Sequence, residues 1–168
     1  MKRLLSLTAL LLLVGVAGFA QKANKAFVGT LNDFAGNWAL DKKLSKFPPR
    51  DTRDITNYTA HIELDADTFR LSKDYEEPRG HCKFDYVFEL SGKGEANKIT
   101  GCFSSHSETL KSKTTVENNV VTRRYSTPST IGWLDVTETY RLVGSADTLV
   151  IEISDGLLTQ VYTFHRVH

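Results

Sequence analysis

Residues 33–47 read DFAGNWALDKKLSKF and contain Gly36-Asn37-Trp38, with one of only two tryptophans in the chain. The segment follows a short polar stretch and opens a long run of alternating polar and apolar residues. Such alternation, with a period of two residues, is typical of a half-buried β-strand. A glycine this near the ring lets the backbone approach it closely. We therefore expect a first strand here, and Trp38 at its start could contact a ligand, stabilise the fold or simply open the strand.

The rest of the chain predicts antiparallel strands joined by short turns. Residues 59–64 and 68–72 alternate on either side of Asp65-Ala66-Asp67, which predicts a β-hairpin. Side chains two residues apart share a face of a strand, so the aromatic residues between 84 and 88 form one face. Further strands are predicted at residues 110–116, 120–125, 136–142, 149–153 and 160–167.

This pattern predicts an all-β domain, and closure of its sheet would remove the exposed edges. We expect a single antiparallel up-and-down barrel of about eight to ten strands. One short helical turn is expected over residues 42–47, before Pro48-Pro49 stops it.

The N-terminal segment has the parts of a secretory signal peptide. Lys2 and Arg3 precede an apolar run from Leu4 to Val16, and small residues follow at Gly18-Phe19-Ala20. The run is shorter than the roughly 20 apolar residues of a spanning helix. We expect a signal peptide at 1–20, a linker or N-terminal arm at 21–32 and the barrel at 33–168. The protein would then be exported, periplasmic or secreted, without a stable membrane anchor.

Charge argues against one class of partner. The chain has 21 basic and 20 acidic residues, and loss of Lys2 and Arg3 with the signal peptide would leave it near neutral. Proteins that bind nucleic acid carry a clear basic surplus. We therefore expect no nucleic-acid partner.

The two cysteines, Cys82 and Cys102, flank a strand and a turn-rich segment centred on Gly92. A hairpin turning at Gly92 would bring them opposite each other, and export makes a disulfide chemically favourable. Closing such a loop is worth about 3 kcal/mol. The alternative is a metal site with His81 and His106, but the paired C-x-x-C spacing is missing. We expect the disulfide and no metal.

An exported antiparallel domain that opens on Gly-x-Trp resembles the lipocalins, in particular the small exported bacterial proteins described as lipocalin-like. In lipocalins the matching tryptophan closes the base of the barrel, and an arginine near the last strand packs across its ring. The resemblance therefore implies that Gly36 and Trp38 open the barrel and that Arg166 is the partner of Trp38. Such a contact is worth roughly 0.5–2 kcal/mol. The residues that carry the motif are Phe34, Gly36, Trp38, Leu40, Asp41, Ser45, Lys46 and Phe47.

The resemblance also implies that a small hydrophobic or amphiphilic ligand binds in the barrel, without a cofactor. Arg123 and Tyr125 share a strand face and resemble the pair that holds a ligand carboxylate in fatty-acid-binding proteins. The alternative for Arg123 is an exposed position. Phe84, Tyr86 and Phe88 would line the pocket or belong to the core.

Catalysis is weakly indicated. Ser104 and His106 would share a strand face, but no third group is in place to orient the histidine. We find no phosphate loop, haem-attachment motif or dinucleotide fingerprint. We therefore expect a binding protein rather than an enzyme. The alternatives are an envelope or secreted module whose outer surface binds a protein or glycan around a filled barrel and, third, an enzyme on this scaffold.

Overall fold

The computed structural model describes residues 29–46, 55–77, 80–100, 107–130 and 132–168. The predicted signal peptide lies outside the described residues, as does most of the predicted arm. Within the described residues, no helix is long and apolar enough to cross a membrane. The described elements are a 3₁₀ helix, Leu31–Phe34, followed by β1 Gly36–Leu40, β2 Thr56–Asp65, β3 Thr68–Glu77, β4 Gly80–Glu89, β5 Glu95–Thr100, β6 Ser107–Glu117, β7 Val120–Ser129, β8 Gly132–Val143, β9 Thr148–Ser154 and β10 Thr159–Val167.

All ten strands form one antiparallel sheet in the order β4-β3-β2-β1-β10-β9-β8-β7-β6-β5. The first strand pairs with the last, so that Trp38 lies directly opposite Arg166. The sheet curls into a nearly closed barrel whose two outermost strands, β4 and β5, follow each other in the chain. The predicted all-β up-and-down barrel is confirmed.

The predicted helical segment contains a single helical turn, in which the Ser45 N–H donates to Asp41 O (3.1 Å) and the Asp41 carboxylate accepts bonds from the Lys43 and Leu44 backbone N–H groups. Residue 47, the end of the predicted segment, lies outside the described residues. A 3₁₀ helix that was not predicted precedes β1 and spans the boundary between the predicted linker (21–32) and the predicted barrel (33–168). The Asp33 carboxylate caps its start, because the Thr30 N–H (2.6 Å) and the Thr30 hydroxyl (3.1 Å) both donate to Asp33 Oδ2. The Asp33 N–H donates to Thr30 O (3.1 Å), which is the first backbone bond of the helix.

The barrel interior at the β1 end is aromatic and apolar. Phe34 and Trp38 are completely buried, and the Trp38 Nε1–H donates to Phe34 O (3.0 Å). Phe34 packs edge-on against Phe69, which in turn stacks on Phe88. The short helix therefore covers one end of the barrel and anchors the tryptophan there.

The barrel is completed between β4 and β5 by a side chain rather than by a backbone ladder. The Asn97 amide accepts a bond from Val87 N–H (2.7 Å) and donates one to Val87 O (3.0 Å). Asn97 is buried, and it makes the two bonds that a paired strand residue would make. Beside it lies a cleft of about 420 Å³, lined by Val87, Glu89, Ser91, Lys93, Gly94, Glu95 and Ala96.

Replacing Asn97 with alanine should open this seam. Both polar groups of Val87 would lose their partner, and a buried unpaired group costs about 1–3 kcal/mol. We expect lower stability to urea and faster hydrogen exchange at the Val87 amide. Lys98→Ala, at the exposed next position, is the control. Unchanged exchange at Val87 in Asn97→Ala would show that the seam does not depend on this side chain.

Candidate functional site

A polar cluster lies inside the barrel around Arg123 of β7 and Glu138 of β8. The two residues are directly opposite each other, and their side chains are only 1% and 5% exposed. Arg123 Nη1 donates to Glu138 Oε2 (3.4 Å). The Tyr125 hydroxyl donates to Oε1 (2.9 Å) and the Tyr140 hydroxyl to Oε2 (2.5 Å). The carboxylate therefore accepts from three donors.

Aromatic rings surround the guanidinium group. Arg123 Cζ lies 4.8, 4.7 and 4.8 Å from the ring centroids of Tyr86, Phe88 and Tyr125. Phe84 continues this ladder by stacking on Tyr86 at 6.1 Å. The structure thus brings together the five residues expected from sequence to contact ligand. Two of the five, Arg123 and Tyr125, donate to the same partner, the carboxylate of Glu138.

A chain of hydroxyl groups extends the cluster toward the β4–β5 cleft. Arg123 Nε donates to Ser112 Oγ (2.9 Å), and Ser112 Oγ donates to Glu95 Oε1 (2.6 Å). The Thr114 hydroxyl donates to the same oxygen (2.8 Å). Glu95 also lines the cleft. Arg123 Nη2 and Glu95 Oε2 are buried, and neither has a hydrogen-bond partner among the described residues.

Lys73 of β3 adds a second buried cation. It is 6% exposed, and its Nζ lies 5.5 Å and 5.9 Å from the ring centroids of Tyr86 and Tyr140. Burial lowers the pKa of Lys73, whereas the charge of Glu138 opposes that shift. Lys73 therefore depends on Glu138 for electrostatic compensation, although no hydrogen bond joins the two.

The cluster holds Glu138 ionised. Burial alone would raise the pKa of Glu138, but the charges of Lys73 and Arg123 and the bonds from Tyr140 and Tyr125 outweigh it and lower that pKa. Burial would lower the pKa of Arg123, but Glu138 raises it. Burial and Glu138 both raise the pKa of Tyr125 and Tyr140, so both phenols remain donors.

Acid should therefore destabilise the protein through Glu138. Because folding lowers the pKa of Glu138, its carboxylate stabilises the folded state at pH values above its unfolded pKa of about 4.3. This stabilisation is lost as the pH falls through the pKa that Glu138 has in the folded protein. We expect the unfolding free energy to drop below about pH 4. Urea titrations of wild type and Glu138→Gln at each pH isolate this contribution, since the variant lacks the titrating group. Parallel pH profiles for the two proteins would contradict the expectation.

Sequence reasoning missed Glu138 and Lys73, the two charged residues buried beside Arg123, although a signal was present. Glu138 lies in phase with Val136, Tyr140 and Leu142, and Lys73 lies in phase with Phe69 and Leu71. A charged residue within the apolar phase of a strand must point into the interior, where charges are paired.

Where β1 pairs with β10, Arg166 packs over Trp38. Its Cζ lies 4.2 Å from the ring centroid. Nη1 donates to Ala35 O (2.7 Å), and Nη2 donates to Asp33 O and to Ala146 O (3.1 Å). Gly36 has a φ of +133°, and a Cβ there would lie 2.7 Å from Arg166 Nη1. Gly36 therefore leaves room for the arginine.

The expected disulfide remains a prediction. Cys82 is buried near the start of β4, but Cys102 lies outside the described residues. Ser104 and His106 also lie outside them. His81 Nε2 lies 2.5 Å from Asp74 Oδ1 on the exposed surface. Among the described residues, no three His, Cys, Asp or Glu side chains are placed to hold a metal ion.

The fold occurs in known binding proteins. No protein-family model matches the chain, and no curated protein matches it. Its structure is similar to the fluorescent protein UnaG (TM-score 0.58, 15% identity, 82% of this chain and 100% of that one). It is also similar to Caenorhabditis elegans lipid binding protein 8 (0.58, 14%, 84% and 100%). Echinococcus granulosus fatty-acid-binding protein 1 is a third such structure (0.52, 16%, 81% and 98%).

These likenesses define the class of fold. The chain folds as an antiparallel barrel similar to those of these proteins, with a charged, hydrogen-bonded cluster inside it. At such low sequence identity the similarity extends to the fold alone.

Proposed function

We propose that this protein is an exported carrier that binds one small hydrophobic or amphiphilic molecule inside its barrel. The ligand's apolar part would lie among the interior aromatic rings, and its polar end would contact the cluster around Arg123. The observation that carries the proposal is the buried Arg123 Nη2, which has no acceptor among the described residues. A buried donor of this kind is costly to leave unpaired, and a ligand could pair it.

The fold supports the same function. Barrels of about this strand number can enclose one small ligand, and two of the similar proteins are described as lipid- or fatty-acid-binding. The interior combines aromatic surface with a few convergent polar groups, the usual composition of a small-molecule site. Binding rather than catalysis accounts for this arrangement.

Export is proposed from residues 1–20, and with it the Cys82–Cys102 disulfide. Protein isolated from its own host should begin after the signal peptide and contain no free thiol. Intact-mass measurement before and after reduction and alkylation checks both points. A retained N-terminus would overturn the proposed export. Two cysteines that can be alkylated without reduction would overturn the proposed disulfide.

Native mass spectrometry of protein from its own host tests the binding function. We expect a single co-purifying small molecule, released on denaturation, and rebinding of long-chain amphiphiles to the stripped protein with one-to-one stoichiometry. Folded protein that arrives empty and binds none of them would overturn the proposal.

Two neighbouring positions of β2 test whether the ligand lies inside. Ala60 is buried in the interior, whereas Thr59 is exposed on the opposite face. Ala60→Phe adds volume inside and should weaken binding at least about tenfold in protein that is folded by circular dichroism. Thr59→Phe should bind like wild type. Equal binding by both variants would place the ligand outside the barrel.

A further inference from the structure

The position expected to hold a ligand carboxylate is already occupied by the protein's own. Arg123 and Tyr125 both donate to Glu138, and Tyr140 adds a third bond. A fatty-acid carboxylate that sought the same donors would have to displace Glu138. Glu138 is buried within β8, so its displacement from these donors would leave its charge without compensation in the interior.

The formal charges of the cluster balance without a ligand. Arg123 and Lys73 are cationic, and Glu138 and Glu95 are anionic. A further carboxylate would therefore bring an uncompensated negative charge into the interior. Burying an unpaired charge costs far more than burying a neutral polar group. Electrostatics therefore favours a ligand without net charge at its polar end.

The unpartnered atoms specify the hydrogen bonding of that polar end. Arg123 Nη2 is a donor that lacks an acceptor, and Glu95 Oε2 is an acceptor that lacks a donor. Ser112 Oγ is hydrogen-bonded to both side chains, so the two lie close together. One hydroxyl or amide group, or a pair of hydroxyls, can offer an acceptor to one atom and a donor to the other.

We propose that the ligand is a neutral amphiphile whose polar end carries hydroxyl or amide groups, and that Glu138 acts as a built-in counter-ion that discriminates against fatty-acid anions. This inference rests on the proposed function and names the ligand class of the same site. In these terms Glu138 is a specificity-determining residue. Glu95 supplies the acceptor that recognises the ligand's donor.

Calorimetric titration with three probes of equal acyl length tests the ligand class. Monolaurin has hydroxyl donors and acceptors, methyl laurate has acceptors alone, and laurate is anionic. Wild type should bind monolaurin at least about tenfold more tightly than laurate, with methyl laurate weaker than monolaurin. Tighter binding of laurate would overturn the inference. Failure to bind any of the three or any other amphiphile would instead count against the proposed function.

Glu138→Gln provides the second arm. The variant removes the internal negative charge and keeps one acceptor oxygen, enough for one of the two tyrosine donors, so Arg123 should be able to donate to a ligand carboxylate. We expect its affinity for laurate to rise at least about tenfold, while monolaurin gains nothing. Glu63→Gln is the matched control, because the Glu63 side chain lies on the outer face and is 64% exposed. This variant should bind the three probes with the same order of affinities as wild type. A folded Glu138→Gln protein with the wild-type preference would overturn the role of Glu138. If that variant does not fold, the order of the three probe affinities in wild type alone decides the ligand class.

Discussion

Replacing Arg123 with methionine is expected to lower the free energy of unfolding by about 3–5 kcal/mol. The substitution retains apolar volume but removes the guanidinium group that compensates Glu138 and packs among three aromatic rings. It leaves a carboxylate buried with only two phenols and the charge of Lys73. Breaking one half of a buried ion pair is costly because the other half keeps its desolvation penalty.

Arg124→Met is the matched control, because Arg124 is the next residue of the same strand and faces solvent. Its loss should change stability by no more than about 0.5 kcal/mol. Urea denaturation followed by far-ultraviolet circular dichroism measures both variants. Similar losses for the two arginines would contradict the buried-pair account.

The double variant Arg123→Met/Glu138→Met extends this test. Because both members of the pair are removed together, its loss should be smaller than the sum of the two single losses. The double variant should remain less stable than wild type, because the charge of Lys73 then lacks the compensation of Glu138. Additive losses would show that Arg123 and Glu138 act independently.

The fold could be predicted because turns and strand phase are local properties of the chain. Ala66-Asp67 lies between β2 and β3, and Asn118-Asn119 lies between β6 and β7, where both asparagines have positive φ. Asparagine tolerates this conformation better than most residues. The short helix at Leu31–Phe34 was missed because its signal is a single capping pair in a polar stretch.

The site could be predicted only in part, because its contacts depend on register between strands. The phase of β7 places Arg123 and Tyr125 on one face, and β4 presents its aromatic ladder in the same way. That Arg123 faces Glu138 follows from the pairing of β7 with β8, in which Arg123 lies opposite that residue. The reach of Glu95 to Ser112 likewise depends on their pairing across β5 and β6. Neither register can be read from the phase of a single strand.

Replacing Trp38 with alanine should lower the free energy of unfolding by about 3–5 kcal/mol. The side chain is completely buried, and its Nε1–H holds Phe34 O. Its ring also supports Arg166, which links the short helix and β1 to the turn before β9 through three carbonyl groups. Loss of the ring therefore leaves a cavity and loosens the cover at this end of the barrel. The same substitution leaves every side chain of the Arg123 cluster in place, so binding by the folded fraction should change little.

The chain's second tryptophan provides the control. Trp133 is 74% exposed, so Trp133→Ala removes an equal volume without creating a buried cavity and should cost no more than about 0.5 kcal/mol. Arg166→Met separates the contribution of the buried Trp38 ring from that of the arginine's hydrogen bonds. The variant keeps apolar contact with the ring but removes the bonds to Asp33, Ala35 and Ala146. We expect it to be less destabilising than Trp38→Ala, because carbonyl groups at the rim can turn to water whereas a cavity under the helix cannot fill. Equal thermal stability of Trp38→Ala and Trp133→Ala would contradict a structural role for Trp38 and return it to consideration as a ligand contact.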